Sequence, residues 1–361
     1  MRLPRNLLRW AALALFILFI SFHILTSQSE DRARTKGQSP PLNPQSTKEA
    51  FLKLVDRPRI ALDPKVEEIG KGQNWLQFHF EFSSDARHRV PGILLEPAGD
   101  RGRRPAAIVL HGTGGRKEKE LPLLKDLTAK GFIAVAIDAP YHGERAPRGK
   151  ADYAQAIMRA YFTGNEHPFL YDTVWDVMRL VDFLETRPDV DPARIGLIGF
   201  SKGGIEAALT AAIDPRISVT APCIGVQSFR WSLQNSAWKP LFETLTAEVN
   251  GAGKETSFPE MDPEFLRKLF ERVVPGIDSQ FDGPAVLPLI APRPLFIITS
   301  DSDPLTPLAS VMECVAAARS AYADSRAEDK FVLRVQKNTG HWVTPESRRA
   351  AVEWFVRWLR P

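Results

Sequence analysis

Cysteine is nearly absent: Cys223 and Cys314 are the only two in 361 residues. Two are too few for a disulfide framework or a structural zinc site, and the sequence leaves open whether they pair. No His-Glu-x-x-His run or Cys cluster occurs, so neither a metal nor a cofactor is expected. The chain also lacks any Asn-x-Ser/Thr acceptor with a permitted middle residue, so an exported form would carry no N-linked glycan. Internal repeats and heptad arrays are missing too, which excludes solenoids and coiled coils. Basic charge is absent where a nucleic-acid binder needs it. The net charge is +4, but residues 1–60 hold an excess of six positive charges and the remainder sums to −2, so no nucleic-acid partner is expected.

Long apolar runs are confined to one place. Trp10 to Thr26 carries no Asp, Glu, Lys or Arg and follows Arg2, Arg5 and Arg9. Seventeen residues span roughly 25 Å as a helix, at the short end for crossing a bilayer. The flanking arginines predict a signal anchor over residues 1–26 that makes the chain a single-pass membrane protein, its catalytic domain on the non-cytoplasmic side. Secretion after cleavage at the weak Ser27-Gln28-Ser29 site is the alternative. Residues 27–50, polar and containing Pro40, Pro41 and Pro44, read as a flexible linker, and residues 51–361 as one domain. With 44% hydrophobic residues that domain can build a core without staples.

What is present is an alternation of strand-like and helix-like segments, the pattern of an α/β fold with a mostly parallel sheet. Leu76 to Phe82 and Val90 to Leu95 read as an antiparallel edge pair. Ala106 to Leu110, Phe132 to Ile137, Arg194 to Phe200, Ile217 to Ile224, Pro294 to Thr299 and Phe331 to Val335 read as buried strands. Helices are expected at Leu121 to Lys130, at Asp172 to Glu185 and at the end of the chain, where Ala351, Trp354, Phe355 and Leu359 form one stripe. Residues 227–290 are less regular and rich in aromatics, among them Phe229, Trp231, Trp238, Phe242, Phe265 and Phe270. Most are expected to pack in a core, and some to line a pocket, because an insertion there lies over the carboxyl edge of the sheet like a lid.

Chemistry concentrates at strand ends. Gly199-Phe200-Ser201-Lys202-Gly203 follows a buried strand and opens a helix, the context a nucleophile elbow requires. A serine hydroxyl attacks only when a base removes its proton, and the base needs a partner that orients it. Asp303 and His341 follow Ser201 in the order this architecture uses, each just after an expected strand. Asp301 competes with Asp303 and reads as a capping or turn residue. Two backbone N–H groups must face the developing oxyanion, and the expected donors are Lys202 and Thr113, with Gly112 as the fallback. The Lys202 side chain reads as solvated. His111 reads as structural.

Together these segments resemble the α/β-hydrolase superfamily, within it the dienelactone-hydrolase-like and acetyl-xylan-esterase-like branch. The resemblance rests on His111-Gly112-Thr113-Gly114-Gly115, Asp138-Ala139-Pro140-Tyr141-His142-Gly143-Glu144-Arg145, Asp191-Pro192-Ala193-Arg194-Ile195-Gly196, the elbow, Asp303-Pro304 and Gly340-His341. It implies a serine hydrolase that cleaves carboxylic esters of small molecules through an acyl-enzyme, with segment 138–145 shaping the site and His142 packing or hydrogen-bonding rather than ligating metal. Dienelactone hydrolases use cysteine at the nucleophile position, so Ser201 points to esterases. Lys202 beside the serine is similar to acyl-CoA thioesterase-like relatives, which leaves thioesters, and with them acyl transfer and peptide cleavage, open. A silent binding protein on the same scaffold is the non-enzyme alternative.

Overall fold

The computed structural model of the chain describes residues 43–99, 102–243 and 262–361. The expected anchor and most of the expected linker lie outside these residues, and among the described ones no helix is long and apolar enough to cross a membrane. One compact unit runs from Pro44 to Pro361. Its first element, α1 (Pro44–Val55), corrects the linker expectation: Thr47, Phe51 and Val55 form a buried stripe at helical spacing, and Pro44 is tolerated at a helix start. Three contacts among Pro, Ser, Thr and Gln give too faint a period to read from sequence.

Among the described residues nine strands form one sheet in the order β1-β2-β3-β5-β4-β6-β7-β8-β9. They are β1 (Lys65–Lys71), β2 (Trp75–Ser83), β3 (Arg89–Pro97), β4 (Arg104–Leu110), β5 (Ile133–Ile137), β6 (Val190–Phe200), β7 (Ile217–Cys223), β8 (Leu295–Ser300) and β9 (Phe331–Gln336). The first three pair antiparallel and β3 also meets β5 antiparallel, whereas β5 through β9 are parallel. β1 escaped the sequence reading because it is an exposed polar edge with no face to bury.

Every residue of β4 and β5 is buried, as strands covered on both faces must be. Period two then divides them. Ala106, Ile108 and Leu110 enter one core with Ile133, Val135 and Ile137, while Ala107, Val109, Ala134 and Ala136 enter the other. Helices α2 (Leu121–Ala129) and α10 (Pro345–Leu359) cover the second face, where Ala351, Trp354, Phe355 and Leu359 are all buried as the stripe predicts. The first face takes α1, α3 (Lys150–Thr163), α4 (Tyr171–Thr186), α5 (Lys202–Ile213) and α9 (Leu308–Asp324).

The described parts of the region, 227–243 and 262–290, belong to the same unit. It contributes α6 (Phe229–Gln234), α7 (Pro263–Val273) and the single turn α8 (Gly283–Val286). Phe229, Trp238, Phe242, Phe265 and Phe270 are buried. Phe270 sits 5.7 Å from Phe229 and 5.9 Å from Phe242 between ring centroids, and the cavity beside the last pair is about 10 Å³, at the limit for one water. These rings are core.

Strand order reverses between β4 and β6, so the chain leaves their paired carboxyl ends in opposite directions and opens the crevice in which ligands of open α/β sheets bind.

Candidate active site

Ser201 occupies the turn from β6 into α5 with φ 54° and ψ −118°. A non-glycine residue there is strained by roughly 1–3 kcal/mol, and the strain lifts its hydroxyl off the sheet edge. Two close approaches enforce the turn. A Cβ on Gly203 would stand 2.5 Å from the Leu110 carbonyl oxygen, so only glycine lets α5 begin against the end of β4. A Cβ on Gly112 would stand 3.3 Å from the Ser201 Cβ, which brings the loop after β4 directly beside the serine.

The expected partners converge on it. His341 Nε2 lies 2.7 Å from Ser201 Oγ, and His341 Nδ1 lies 2.8 Å from Asp303 Oδ2. A carboxylate only accepts, so Nδ1 carries the proton and Nε2 accepts from the serine hydroxyl. Asp303 is buried, and Thr306 Oγ1 also donates to Oδ2 at 2.7 Å while the Leu305 N–H donates to Oδ1 at 2.8 Å. Burial pushes the Asp303 carboxyl up, but the bonds from His341, Thr306 and Leu305 outweigh it and hold the group below its ordinary range.

Asp301 stays outside this chain of bonds. It is exposed and accepts from the Asn338 N–H at 3.1 Å, the Thr339 N–H at 3.4 Å and Ser302 Oγ at 2.9 Å, bracing the loop that carries His341. Those bonds hold its carboxyl low. Gln336, which sequence reasoning passed over, braces the same loop from inside. Its Nε2 donates to the Trp342 carbonyl at 2.9 Å and its Oε1 accepts from the Thr344 N–H at 2.8 Å.

His111 is structural in the way expected. Its Nε2 accepts from the Ala139 N–H at 3.1 Å, so Nδ1 is the protonated nitrogen and donates to the Gly112 carbonyl at 2.8 Å. Burial, reinforced by the nearby Lys202 ammonium, depresses its pKa to about 4 and keeps it neutral. His142 is buried as well, and its Nδ1 faces the Pro140 carbonyl at 2.9 Å. Among the described residues no three of His, Cys, Asp and Glu converge as metal ligands would.

Lys202 differs from expectation. Its side chain is buried and its ammonium donates to Glu206 Oε1 at 2.5 Å, one helical turn along α5. The spacing i, i+4 is a legible signal, but on a helix start it reads as a surface pair. Here α5 is buried on every side, so the pair goes in with it. Cys223 and Cys314 are both free and buried.

Two cavities open on the same edge and share Tyr141. One of about 350 Å³ is walled by Gly114, Gly115 and Arg116 of the loop after β4 and by His142 and Tyr153 across from it. The other, about 930 Å³, extends toward Arg57, Arg87 and Asp172.

Residues 129–325, more than half of the chain, match the family model described as "Glucuronyl esterase, fungi". The chain belongs to the glucuronyl esterase family. It is a carboxylic ester hydrolase with an α/β-hydrolase-like fold. Among its relatives is 4-O-methyl-glucuronoyl methylesterase 1 of Sodiomyces alcalophilus, 25% identical over 238 residues that cover 64% of this esterase and 43% of that protein. YtaP of Bacillus subtilis strain 168 is 27% identical over 288 residues, 76% of this esterase and 85% of that chain. In fold the esterase is similar to the acetyl xylan esterase from Paenibacillus sp. R4, with a TM-score of 0.60 at 19% identity over 87% of this chain and 92% of the other. The glucuronoyl esterase from Solibacter usitatus is similar too, with a TM-score of 0.59 at 15% identity over 88% and 94% of the two chains.

Proposed function

We propose that this esterase works through an acyl-enzyme formed on Ser201 and that its substrates are esters of a carbohydrate acid. The observation that carries the mechanism is the unbroken chain from Ser201 Oγ through His341 to Asp303, at 2.7 and 2.8 Å. Ser201 Oγ attacks the ester carbonyl carbon as its proton passes to His341 Nε2. Asp303 holds the ring in the tautomer that can accept that proton and balances the imidazolium that forms. The backbone N–H groups of Thr113 and Lys202 receive the carbonyl oxygen as it becomes an oxyanion, each lowering the barrier by roughly 3 kcal/mol. Collapse expels the alcohol with the proton from Nε2. Water, activated by the same nitrogen, then releases the acid.

Two things support the substrate class: the family, and the cavity walled by Gly114 and Gly115, which follow Thr113 in the same loop. Arg116, Tyr141, His142 and Tyr153 give its wall polar groups, and at about 350 Å³ it has room for more than an acetyl group. The methyl ester of glucuronic acid is expected to give kcat/KM at least about tenfold above p-nitrophenyl palmitate, since a sixteen-carbon chain finds no apolar channel there. Steady-state kinetics on the two, with p-nitrophenyl acetate between them, check this; a preference for the long chain would overturn the carbohydrate reading.

The charge pattern of residues 1–26 further supports anchoring of the enzyme in a membrane with the domain on the non-cytoplasmic side. Alkaline carbonate washing should leave the full chain in the pellet and protease should spare the domain in sealed inverted vesicles. Release by carbonate, or digestion, would refute the anchor.

A further inference from the structure

The loop from His111 to Lys117 has to hold its backbone still, and it contains little that could do so by itself. Its internal bonds both converge on one carbonyl: the Gly115 N–H reaches the Gly112 carbonyl at 2.9 Å in a tight turn, and His111 Nδ1 donates to the same oxygen at 2.8 Å. Both ends are instead held by two consecutive residues that follow β5. At the start of the loop, Ala139 donates its N–H to His111 Nε2. At the end, Asp138 accepts the Lys117 N–H on Oδ1 at 2.9 Å and the Lys117 ammonium on Oδ2 at 2.7 Å.

Nothing about this second contact is loose. Asp138 and Lys117 are both fully buried. Oδ2 also takes the Glu144 N–H at 3.0 Å, and the ammonium reaches Glu144 Oε1 at 2.5 Å and Glu118 Oε1 at 2.9 Å. Gly143, at φ +52°, lies so close that a Cβ there would stand 2.2 Å from the Asp138 carboxyl. The carboxylate is thus caged, with both oxygens bonded to Lys117.

We infer that Asp138 is a positioning residue: by gripping the Lys117 backbone N–H it fixes the far end of the loop whose Thr113 N–H faces the oxyanion. Asp138 touches no reacting atom and acts through the loop, and the inference rests on the reading that this loop supplies an oxyanion donor. The Lys117 ammonium is secondary. Its task is to neutralise the buried carboxylate, so a pair without charge that keeps the acceptor preserves catalysis, and a pair without charge that lacks it does not.

Two double variants of the full chain separate these roles, Lys117→Met/Asp138→Asn and Lys117→Met/Asp138→Ala. Both are free of buried charge, and only the first still offers an oxygen to the Lys117 N–H. With p-nitrophenyl acetate the first is expected within about threefold of wild-type kcat, and the second about 10- to 100-fold below it, with KM changed less than about threefold. Phenylboronic acid, which forms a tetrahedral adduct on the serine, should bind the second variant more weakly by the same factor as kcat. Equal kcat in the two variants, or a loss carried by KM, would overturn the inference. Should the alanine variant not fold, Lys117→Met/Asp138→Leu, which keeps the side-chain volume and lacks the acceptor, takes its place with the same expected loss, and a kcat equal to that of the asparagine double variant overturns the inference. Ser201→Ala in the same assay tests the layer beneath, because activity surviving there removes the acyl-enzyme itself, while its loss beside two indistinguishable double variants removes only the positioning role.

Discussion

Ser201→Ala is expected to lower kcat for p-nitrophenyl acetate roughly 10⁵- to 10⁶-fold and to move the thermal midpoint by no more than about 3 °C. The first number follows from removing the attacking atom of a unit whose members act together. The second follows from what the hydroxyl does in the fold, where its one partner is His341 Nε2. Alanine keeps the Cβ and therefore the strain at φ 54°. Ser201→Gly removes both, so it should be equally inactive yet melt above the alanine variant, because relief of roughly 1–3 kcal/mol of strain exceeds the entropy glycine adds to the unfolded chain. Calorimetry on the pair measures the strain held in the elbow. An alanine variant retaining more than about 1% of activity would take the nucleophile role away from Ser201.

Asp303→Asn should cost about 10⁴-fold in kcat with the fold intact. The amide can turn an N–H toward His341 Nδ1, which then gives up its proton to Nε2 and leaves no acceptor for the serine. The wild-type carboxylate also has a predictable pH signature. Its folded pKa lies below the ordinary value, so its contribution to stability is present above the ordinary carboxylate range near pH 4 and is lost as pH falls through the folded value. The melting difference between wild type and Asp303→Asn should therefore close as the pH is lowered below about 4. Asp301→Asn is the control two residues away: exposed, and bonded to Ser302 and the backbone of the His341 loop rather than to the His341 ring, it should change kcat less than about threefold. A larger loss at 301 than at 303 would exchange their roles.

The strands of the parallel sheet were legible because their cores are continuous apolar runs closed by turn residues, and Ala106 to Leu110 or Pro294 to Thr299 can hardly form anything else. β1 and α1 were not. Lys65 to Lys71 forms a strand only because β2 offers it an edge, and Pro44 to Val55 forms a helix whose three buried residues find a core built by segments far along the chain. The aromatics of region 227–290 were half legible. Their hydrophobicity announces burial, but whether they face each other or a ligand depends on what packs beneath them, and here it is Phe229, Phe242 and Phe270 on one another.

At the site, the chain by itself determined which residues meet. A serine between a strand and a glycine-opened helix, an aspartate and a histidine after two later strands, and a glycine-rich loop after an earlier one are each assigned by their order along the chain to one edge of one sheet, the arrangement on which the proposed acyl transfer rests. Only the tertiary structure decided between equivalents. It chose Asp303 over Asp301 by which carboxylate Thr306 and Leu305 turn toward His341. It buried Lys202 against Glu206, and it joined Lys117 to Asp138 across 21 residues of sequence. The first leaves only an i, i+4 spacing that does not tell a buried pair from an exposed one, and the second leaves no local trace, since its partner is brought from elsewhere and the distance between them exists only after the chain has folded.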